Sequence, residues 1–539
     1  MSENMNGIMT SLILAVTPAK AGLAGVSAAI PLRPTTPVET PLREVADRLG
    51  PALLALRGDP DTTLLTGVTI SSLRVCPGDL YVAPAGAQVH GASYAGRAVE
   101  GGAVAVLTDP EGAALLAAGP TRPAVPVLVV ERPRAVVGDL AAWVYGRPAD
   151  RMRLVAVTGT QGKTTTTRLA EASLTAAGVP AAVVGTVGTR VNGVDVKTSL
   201  TTPEAPDLHA LFAVMVERDV VACAMEVSSH ALVMGRVDGV VFDVACFLNL
   251  GRDHLDFHAD LEDYFAAKAS LFTPERCRRA LVNIDDEHGR RLVAEATVPM
   301  VTFSALGTAA ADWRAGDVRL EPTGSTFTVH APSGATFPAR VPLPGDFNVT
   351  NALCAVAALA EAGFDPETVA AVMGASGGVP GRLEQVDGGQ EFLAVVDYAH
   401  KPDAVSAALG ALRPLTAGRL IIVIGAGGDR DPGKRPMMGE IAARLADVLV
   451  VTDDNPRTED PAAIRAEVAA GARTVPPAQR GDVREVGDRR EAIRLAVRMA
   501  RPGDTVVVAG KGHETGQEVA GRTYPFDDRH VLLEELSAR

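Results

Sequence analysis

A chain of 539 residues is too long for one hydrophobic core, and its length points to three or four domains. Apolar residues make up 47% and charged residues 21%, an ordinary globular mixture; a net charge of −13 excludes a general binder of nucleic acid or anionic membrane, which needs clustered Lys and Arg. Five widely spaced cysteines without a CxxC pair exclude a disulfide framework and a zinc site, and fit a reducing, cytoplasmic compartment.

The chain opens with an apolar stretch, Ile8 to Ile30, interrupted by Pro18 and Lys20 and preceded by no basic segment. It makes a poor membrane span and a poor signal peptide, so no stable membrane association is expected. The Pro-rich run Pro31 to Pro41 reads as a linker. Residues 1–44 are therefore expected to form a disordered extension, dispensable before about Pro41. Residues 45–148 alternate short helical and strand patterns, with buried-strand signals at Ala103–Leu107 and Val125–Val130. A second block, 149–376, begins with the strand-like Leu154–Val157. It continues through Ala181–Val184, Val220–Ala224, Val240–Phe247 and Ala280–Ile284. Within it Asn192-Gly193 predicts a hairpin between Thr189–Val191 and Val194–Val196. The Gly-rich stretch Gly374 to Gly381 marks a boundary. In 377–539, Phe392–Val396, Leu420–Ile424, Val448–Val451 and Thr505–Val508 alternate with helical segments. Strands alternating with helices predict an α/β protein with parallel sheets, whose ligands bind beyond the carboxyl ends of the strands.

The distinctive motifs lie at those strand ends. Val157-Thr158-Gly159-Thr160-Gln161-Gly162-Lys163-Thr164-Thr165 joins an apolar strand to a helix. Backbone amides at a helix N-terminus cradle phosphate, Lys163 suits the β/γ-phosphates of ATP, and the Thr164 hydroxyl reaches Mg²⁺. Two residues separate the glycines, where the common pattern has four. A phosphate-loop kinase or GTPase shares this signal, although an NKxD base-specificity motif is absent. Met225-Glu226-Val227-Ser228-Ser229-His230 ends the strand at Val220–Ala224 and offers a carboxylate to a loop-bound metal. Asn249 to His258 ends the next, and Lys268 follows on a helical stretch. With seven lysines against forty-four arginines, few lysines serve as surface filler; five of them (Lys163, Lys268, Lys401, Lys434, Lys511) fall in motifs, where lysine does chemistry that arginine cannot.

TGTQGKTTT, MEVSSH, NLGRDHLDFH and FAAKASLF in this order resemble the Mur ligases, and the resemblance runs from about Gly67 to the C-terminus. It implies a UDP-substrate-binding domain (45–148), a central ATPase domain with a P-loop-type parallel sheet (149–376) and a C-terminal Rossmann-like, amino-acid-binding domain (377–539). It implies that Glu226 and His254 are Mg²⁺ ligands and that Lys268 is carbamylated. Asn348, Arg382, Asp397 and His400 are similar to the family's ATP-contacting residues. Ser72, Thr201, Thr202, Ser228 and Arg236 are similar to those that hold the UDP-sugar dipeptide, although Leu73 and Met234 depart from the commoner pattern. Asp454-Asn455-Pro456-Arg457 is similar to the signature of members that add meso-diaminopimelate, with Arg430, Gly510 and Glu514 in the same site. Arg457 suits the additional carboxylate of diaminopimelate and Glu514 its ammonium. The implied activity is ATP-dependent acyl-phosphate formation on UDP-MurNAc-L-Ala-D-Glu followed by amide formation. A folylpolyglutamate synthase is the nearest alternative, and the N-terminal block and DNPR argue against it.

Overall fold

Three sheets organise the chain in a computed structural model that describes residues 30–118, 124–198, 200–254, 257–307, 310–375 and 377–539. The N-terminal part contains β1 (Thr40–Pro41), β2 (Leu53–Arg57), β3 (Leu64–Leu65), β4 (Gly67–Thr69), β5 (Asp79–Ala83), β6 (Ala105–Thr108) and β7 (Val127–Val130). Strands β1 and β3 form a short pair, and the others form a sheet in the order β2-β7-β6-β5-β4, parallel except for β2.

The central sheet has eleven strands. They are β8 (Arg153–Thr158), β9 (Ala181–Val184), β10 (Thr189–Val191), β11 (Val194–Val196), β12 (Ala222–Glu226), β13 (Val244–Phe247), β14 (Ala280–Asn283), β15 (Met300–Ser304), β16 (Trp313–Glu321), β17 (Gly324–His330) and β18 (Thr336–Val341). Their order is β11-β10-β9-β12-β8-β13-β14-β15-β16-β17-β18. Strand β8 lies between β12 and β13, parallel to both. Its Leu154–Val157 is buried on both faces, which is why it reads as an unbroken apolar run. The chain leaves β8 toward β9, returns to insert β12, then crosses to β13, so the sheet's topological switch flanks the end of β8. The Asn192-Gly193 hairpin forms as expected, both residues at positive φ (48° and 78°).

The C-terminal sheet contains β19 (Glu384–Gln385), β20 (Leu393–Asp397), β21 (Leu420–Ile424), β22 (Val448–Val451), β23 (Asp482–Glu485) and β24 (Thr505–Ala509), in the order β19-β20-β24-β21-β22-β23 and parallel except at β19. A hairpin, β25 (Gly516–Val519) with β26 (Arg522–Pro525), follows β24. Among the described residues no helix is long and apolar enough to cross a membrane.

The expected disordered extension over 1–44 needs correcting from residue 30 onward; residues 1–29 lie outside the described residues. Ile30 is buried in the same apolar cluster as Met152 and Phe212. Arg33 pairs with the buried Asp79 at 3.1 Å, and the Thr35 and Thr36 amides donate to the Glu217 carboxylate at 2.9 and 2.7 Å. The helix Leu42–Leu49 buries Leu42, Val45, Ala46 and Leu49. Proline's restricted backbone holds the segment extended, while these side-chain contacts and the pairing of β1 with β3 anchor it.

Candidate active site

The loop after β8 is shaped by two glycines. Gly162 adopts φ 85°, and a Cβ there would lie 2.3 Å from Oδ1 of Asn351, so a side chain is excluded twice. The helix Lys163–Ala176 begins directly afterwards. Asn249, at the end of β13, accepts from the amides of Thr160 and Gln161 at 3.1 and 2.9 Å and braces the loop. Lys163 turns back into it, donating to the carbonyls of Gly159 and Thr160 at 2.7 and 3.1 Å. Burial pushes its ammonium below the ordinary lysine range, and Glu226 opposes that shift. Thr164 and Thr165 are buried at the start of the helix, and the Thr164 hydroxyl accepts from Arg382 at 3.3 Å.

Glu226 ends β12 in register with Val157 of β8, which carries it to the phosphate loop. Its carboxylate is 1% exposed, accepting from the Thr186 amide at 2.8 Å and the Thr186 hydroxyl at 3.0 Å. Lys268, 1% exposed on the helix Leu261–Ala269, donates to the Gly159 carbonyl at 3.0 Å and lies over the Tyr264 ring. Burial first, then Lys163, hold its ammonium well below the ordinary range. His254 takes φ 54°, contacts Asp253 at 3.3 Å and meets the edge of the His230 ring. Burial lowers its pKa to about 4. Thr164 and Glu226 present oxygen donors, the ligand type that suits Mg²⁺; that ion keeps most of its shell as water and phosphate, so no all-protein cage is required.

On the substrate side, Thr201 shares a 3.1 Å hydroxyl contact with Thr186, and Thr202 donates to the Glu226 backbone carbonyl at 2.8 Å. Ser228 caps the short helix Ser229–Val233. Arg236 donates to the Thr202 carbonyl and to the Met234 sulfur and pairs with Glu204 at 2.9 Å. Ser72 follows β4 in the N-terminal part, next to the exposed Leu73; Arg74 pairs with Asp207 of the central part at 2.8 Å.

The C-terminal part closes over this loop. Asp397, at the end of β20, accepts from the amides of Leu383 and Ala399 at 2.7 and 2.8 Å, and burial raises its pKa. Those bonds fix the turn that aims Arg382, stacked 4.7 Å from the Tyr398 ring, at Thr164. His400 donates from Nδ1 to the Tyr398 carbonyl, and the neighbouring Lys401 pairs with Asp253. Asn348 is 1% exposed and donates to Pro344, while Asn351 packs beneath Gly162; both lie under the loop.

The amino-acid signature forms one network. Asn455 accepts at Oδ1 from Lys511 and the Glu518 amide, both at 2.9 Å, and donates to Glu514 at 2.9 Å. Lys511, wholly buried, also pairs with Glu514 at 3.2 Å. Asp454 is buried against Gly510, where a Cβ would come within 2.4 Å of its Oδ2. Arg457 follows Pro456 at φ 52°, donates to the Gly428 carbonyl at 2.6 Å and meets Glu518 at 3.3 Å; Arg430 is exposed. A cleft of about 480 Å³ is lined by Thr186 from the central part and by Asn455, Arg457, His513, Glu514 and Glu518 from the C-terminal part.

Three family models match in sequence: "Mur ligase family, catalytic domain" over 64–145, "Mur ligase middle domain" over 157–359, and "Mur ligase, glutamate ligase domain" over 381–512. A Streptomyces coelicolor protein named UDP-N-acetylmuramoyl-L-alanyl-D-glutamate--2,6-diaminopimelate ligase is 54% identical over 507 residues, 94% of this chain and 98% of that one. A Corynebacterium glutamicum protein of the same name is 50% identical over 467 residues, 85% and 89% of the two chains. The chain belongs to the Mur ligase family. A solved structure bearing that name superposes with a TM-score of 0.65 at 32% identity, covering 93% of this chain and 99% of the other. A MurF structure from Acinetobacter baumannii, at 17% identity and TM-score 0.63 over 93% and 100% of the two chains, shares the fold.

This Mur ligase has site residues that its motifs did not announce. Thr186 sits in a Gly-Thr-Val-Gly turn of ordinary loop composition, and only the fold shows that it grips Glu226. Glu518 lies beyond the last signature and reaches Arg457 through the β25 hairpin. Lys511 carried a signal, as one of few lysines, and its burial between Asn455 and Glu514 explains it.

Proposed function

We propose that this Mur ligase joins meso-2,6-diaminopimelate to UDP-N-acetylmuramoyl-L-alanyl-D-glutamate with ATP, in the cytoplasm, as a step of peptidoglycan precursor synthesis. The observation that carries the reading is the shared cleft, in which Thr186, which grips Glu226 behind it, faces the Asn455–Arg457–Glu514 network. Relatives at 50–54% identity that bear this activity in their names support it.

In this reading the γ-carboxylate of D-glutamate attacks the γ-phosphorus of ATP. An O–P bond forms while the bond to the β-phosphate bridging oxygen breaks, and ADP leaves with the electron pair. Lys163 neutralises charge on the β/γ-phosphates, and the loop amides and helix N-terminus hold the phosphates. Mg²⁺, held through Thr164, Glu226, His254 and a carbamylated Lys268, supplies further charge neutralisation on the phosphates when bound. Arg382 reaches Thr164 from the C-terminal part and brings the two halves of the site together. The diaminopimelate amine then attacks the acyl carbon, the C–O bond to phosphate breaks, and the amine's proton is released. Arg457 binds the distal carboxylate and Glu514 the distal ammonium. Closure of the cleft keeps water from hydrolysing the acyl phosphate.

The test is phosphate release and product mass with ATP, the UDP-sugar dipeptide and either diaminopimelate or lysine. An amide product with diaminopimelate and little with lysine is expected. Preferential lysine incorporation, or ATP hydrolysis without an amide, would overturn the assignment.

A further inference from the structure

We infer that Thr186 is a positioning residue whose hydroxyl orients Glu226 and ties it to Thr201, coupling the nucleotide pocket to the pocket for the carboxylate substrate. The inference rests on the proposed function for the identity of those pockets.

Both donors of this one residue are spent on one carboxylate. The Thr186 amide reaches Oε1 of Glu226 at 2.8 Å and its hydroxyl reaches Oε2 at 3.0 Å, so the plane of the carboxylate is fixed. The loop has no slack: a Cβ on the preceding Gly185 would stand 2.3 Å from the same Oε1. Behind it, the buried Arg168 donates to the carbonyls of Val187 and Gly188 at 2.8 and 3.2 Å. These contacts hold the turn against Glu226 from below.

Proton counting gives the chain a direction. A carboxylate only accepts, so the single Thr186 hydroxyl proton points to Glu226. The 3.1 Å contact between Thr186 and Thr201 is then made by the Thr201 proton. Thr201 is left with lone pairs for the substrate and can accept from an amide N–H, whereas donating to an anionic group requires breaking its bond to Thr186. Events at Thr201 therefore change the donor set around Glu226. Thr186 also lines the cleft, and His513 of the C-terminal part lies against its backbone, so one turn touches all three substrate regions.

The test uses the full-length enzyme and three variants, Thr186→Val, Thr186→Ser and Thr201→Val, with Thr186→Ala replacing valine if that variant does not fold. Calorimetric ADP binding in magnesium should weaken by about 10-fold in Thr186→Val, and kcat should fall by about 10- to 100-fold, the range for losing a hydrogen bond to a charged group. Thr186→Ser, which keeps the hydroxyl, should recover both to within about 3-fold. Thr201→Val should cost at least about 3-fold less in the Thr186→Val background than alone, because the two hydroxyls act in one chain. Full ADP binding and kcat in Thr186→Val, no rescue by serine, or additive effects at the two threonines would each overturn the inference. ADP binding is read without the other substrates, so an error in the amino-acid assignment would appear as the wrong wild-type product and leave this result standing.

Discussion

The amines of Lys163 and Lys268 converge on one acceptor, the Gly159 carbonyl oxygen, at 2.7 and 3.0 Å. Two cations sharing a buried carbonyl repel, and burial removes the water that would screen them. Burial is the larger cause of depression at both, and Lys163 adds to it at Lys268. The relief available is for Lys268 to give up its proton, and a neutral amine attacks carbon dioxide, forming a carbamate and releasing a proton. The anion so formed would attract Lys163 where the ammonium repelled it.

Lys268→Met should accordingly lose activity and carry no carbon dioxide adduct in native mass spectra. Its stability should move the other way. The folded pKa lies below the unfolded 10.5, so at neutral pH the unfolded chain binds protons better and folding is penalised. In carbon-dioxide-free buffer at pH 7 the variant's thermal midpoint should rise by about 2–4 °C, a gain that shrinks as pH approaches 10.5. An active, destabilised methionine variant would refute the carbamate reading.

Lys163→Ala should reduce ADP release by at least ~10²-fold, because its amine turns back into the phosphate loop and supplies the cation there. Near-normal turnover would mean that the phosphates lie elsewhere.

Lys401 and Asp253 join the C-terminal part to the motif after β13. Burial raises the Asp253 carboxyl, but Lys401, by charge and hydrogen bond, and His254 together outweigh it and hold the group below its ordinary 3.8. The pair's contribution is therefore present above about pH 4 and lost as pH falls through the lowered value. Asp253→Asn should cut kcat/KM by about 5-fold, and the wild type should approach the variant in high salt. Salt-independent kcat/KM, unchanged by the substitution, would show that the contact plays no part in closure.

How much of this was legible beforehand depended on sequence distance. Strand β8 announced itself because a strand buried on both faces is a continuous apolar run, and the motif Gly159 to Thr164 follows it without a gap. The signatures at Asp454–Arg457 and Gly510–Glu514 were equally local. Thr186 and Glu226 are forty residues apart, and Asp253 and Lys401 nearly four times that, so no periodicity links them. The antiparallel run β16–β18 carries the alternation Phe327, Val329 and Phe337, Ala339, Val341, yet its place at the edge of the sheet beside its parallel centre follows from β15 pairing with β16. The packing of the segment from Ile30 is not legible in the sequence, because proline-rich composition reports backbone stiffness and says nothing of what the flanking side chains touch.

That segment gives the next prediction. Asp79 is buried, its carboxyl pushed up by burial and pulled back by Arg33. Arg33→Ala leaves a buried carboxylate short of its partner and should cost about 1–3 kcal/mol. Deleting through Glu39 should lower stability further, since Ile30 and the Glu217 contacts go with it. Unchanged urea midpoints for both would restore the reading of a dispensable tail.

Arg457 should decide which amino acid is accepted. Diaminopimelate and lysine share an α-amino acid head and a distal ammonium and differ by the distal carboxylate, so only a group that reads that carboxylate separates them. Arg457 is held on the rim of the cleft by Gly428 and Glu518, and its positive φ turns it out of the signature loop toward β25. A shielded bidentate guanidinium–carboxylate pair is worth roughly 2–4 kcal/mol, on the order of 30- to 1,000-fold in specificity. Arg457→Ala should lower kcat/KM for diaminopimelate by about that factor, mainly through this substrate and not through ATP. Lysine should remain poor, because removing an attraction builds no lysine pocket. Glu518 competes with the incoming carboxylate for the same guanidinium, while its own charge favours the ammonium beside it. These effects oppose one another, so Glu518→Gln should shift kcat/KM by less than about 10-fold. The decisive comparison is both amino acids on wild type and both variants at saturating ATP. Retention of full diaminopimelate activity by Arg457→Ala would remove Arg457 from the specificity site and leave the distal carboxylate to another cation.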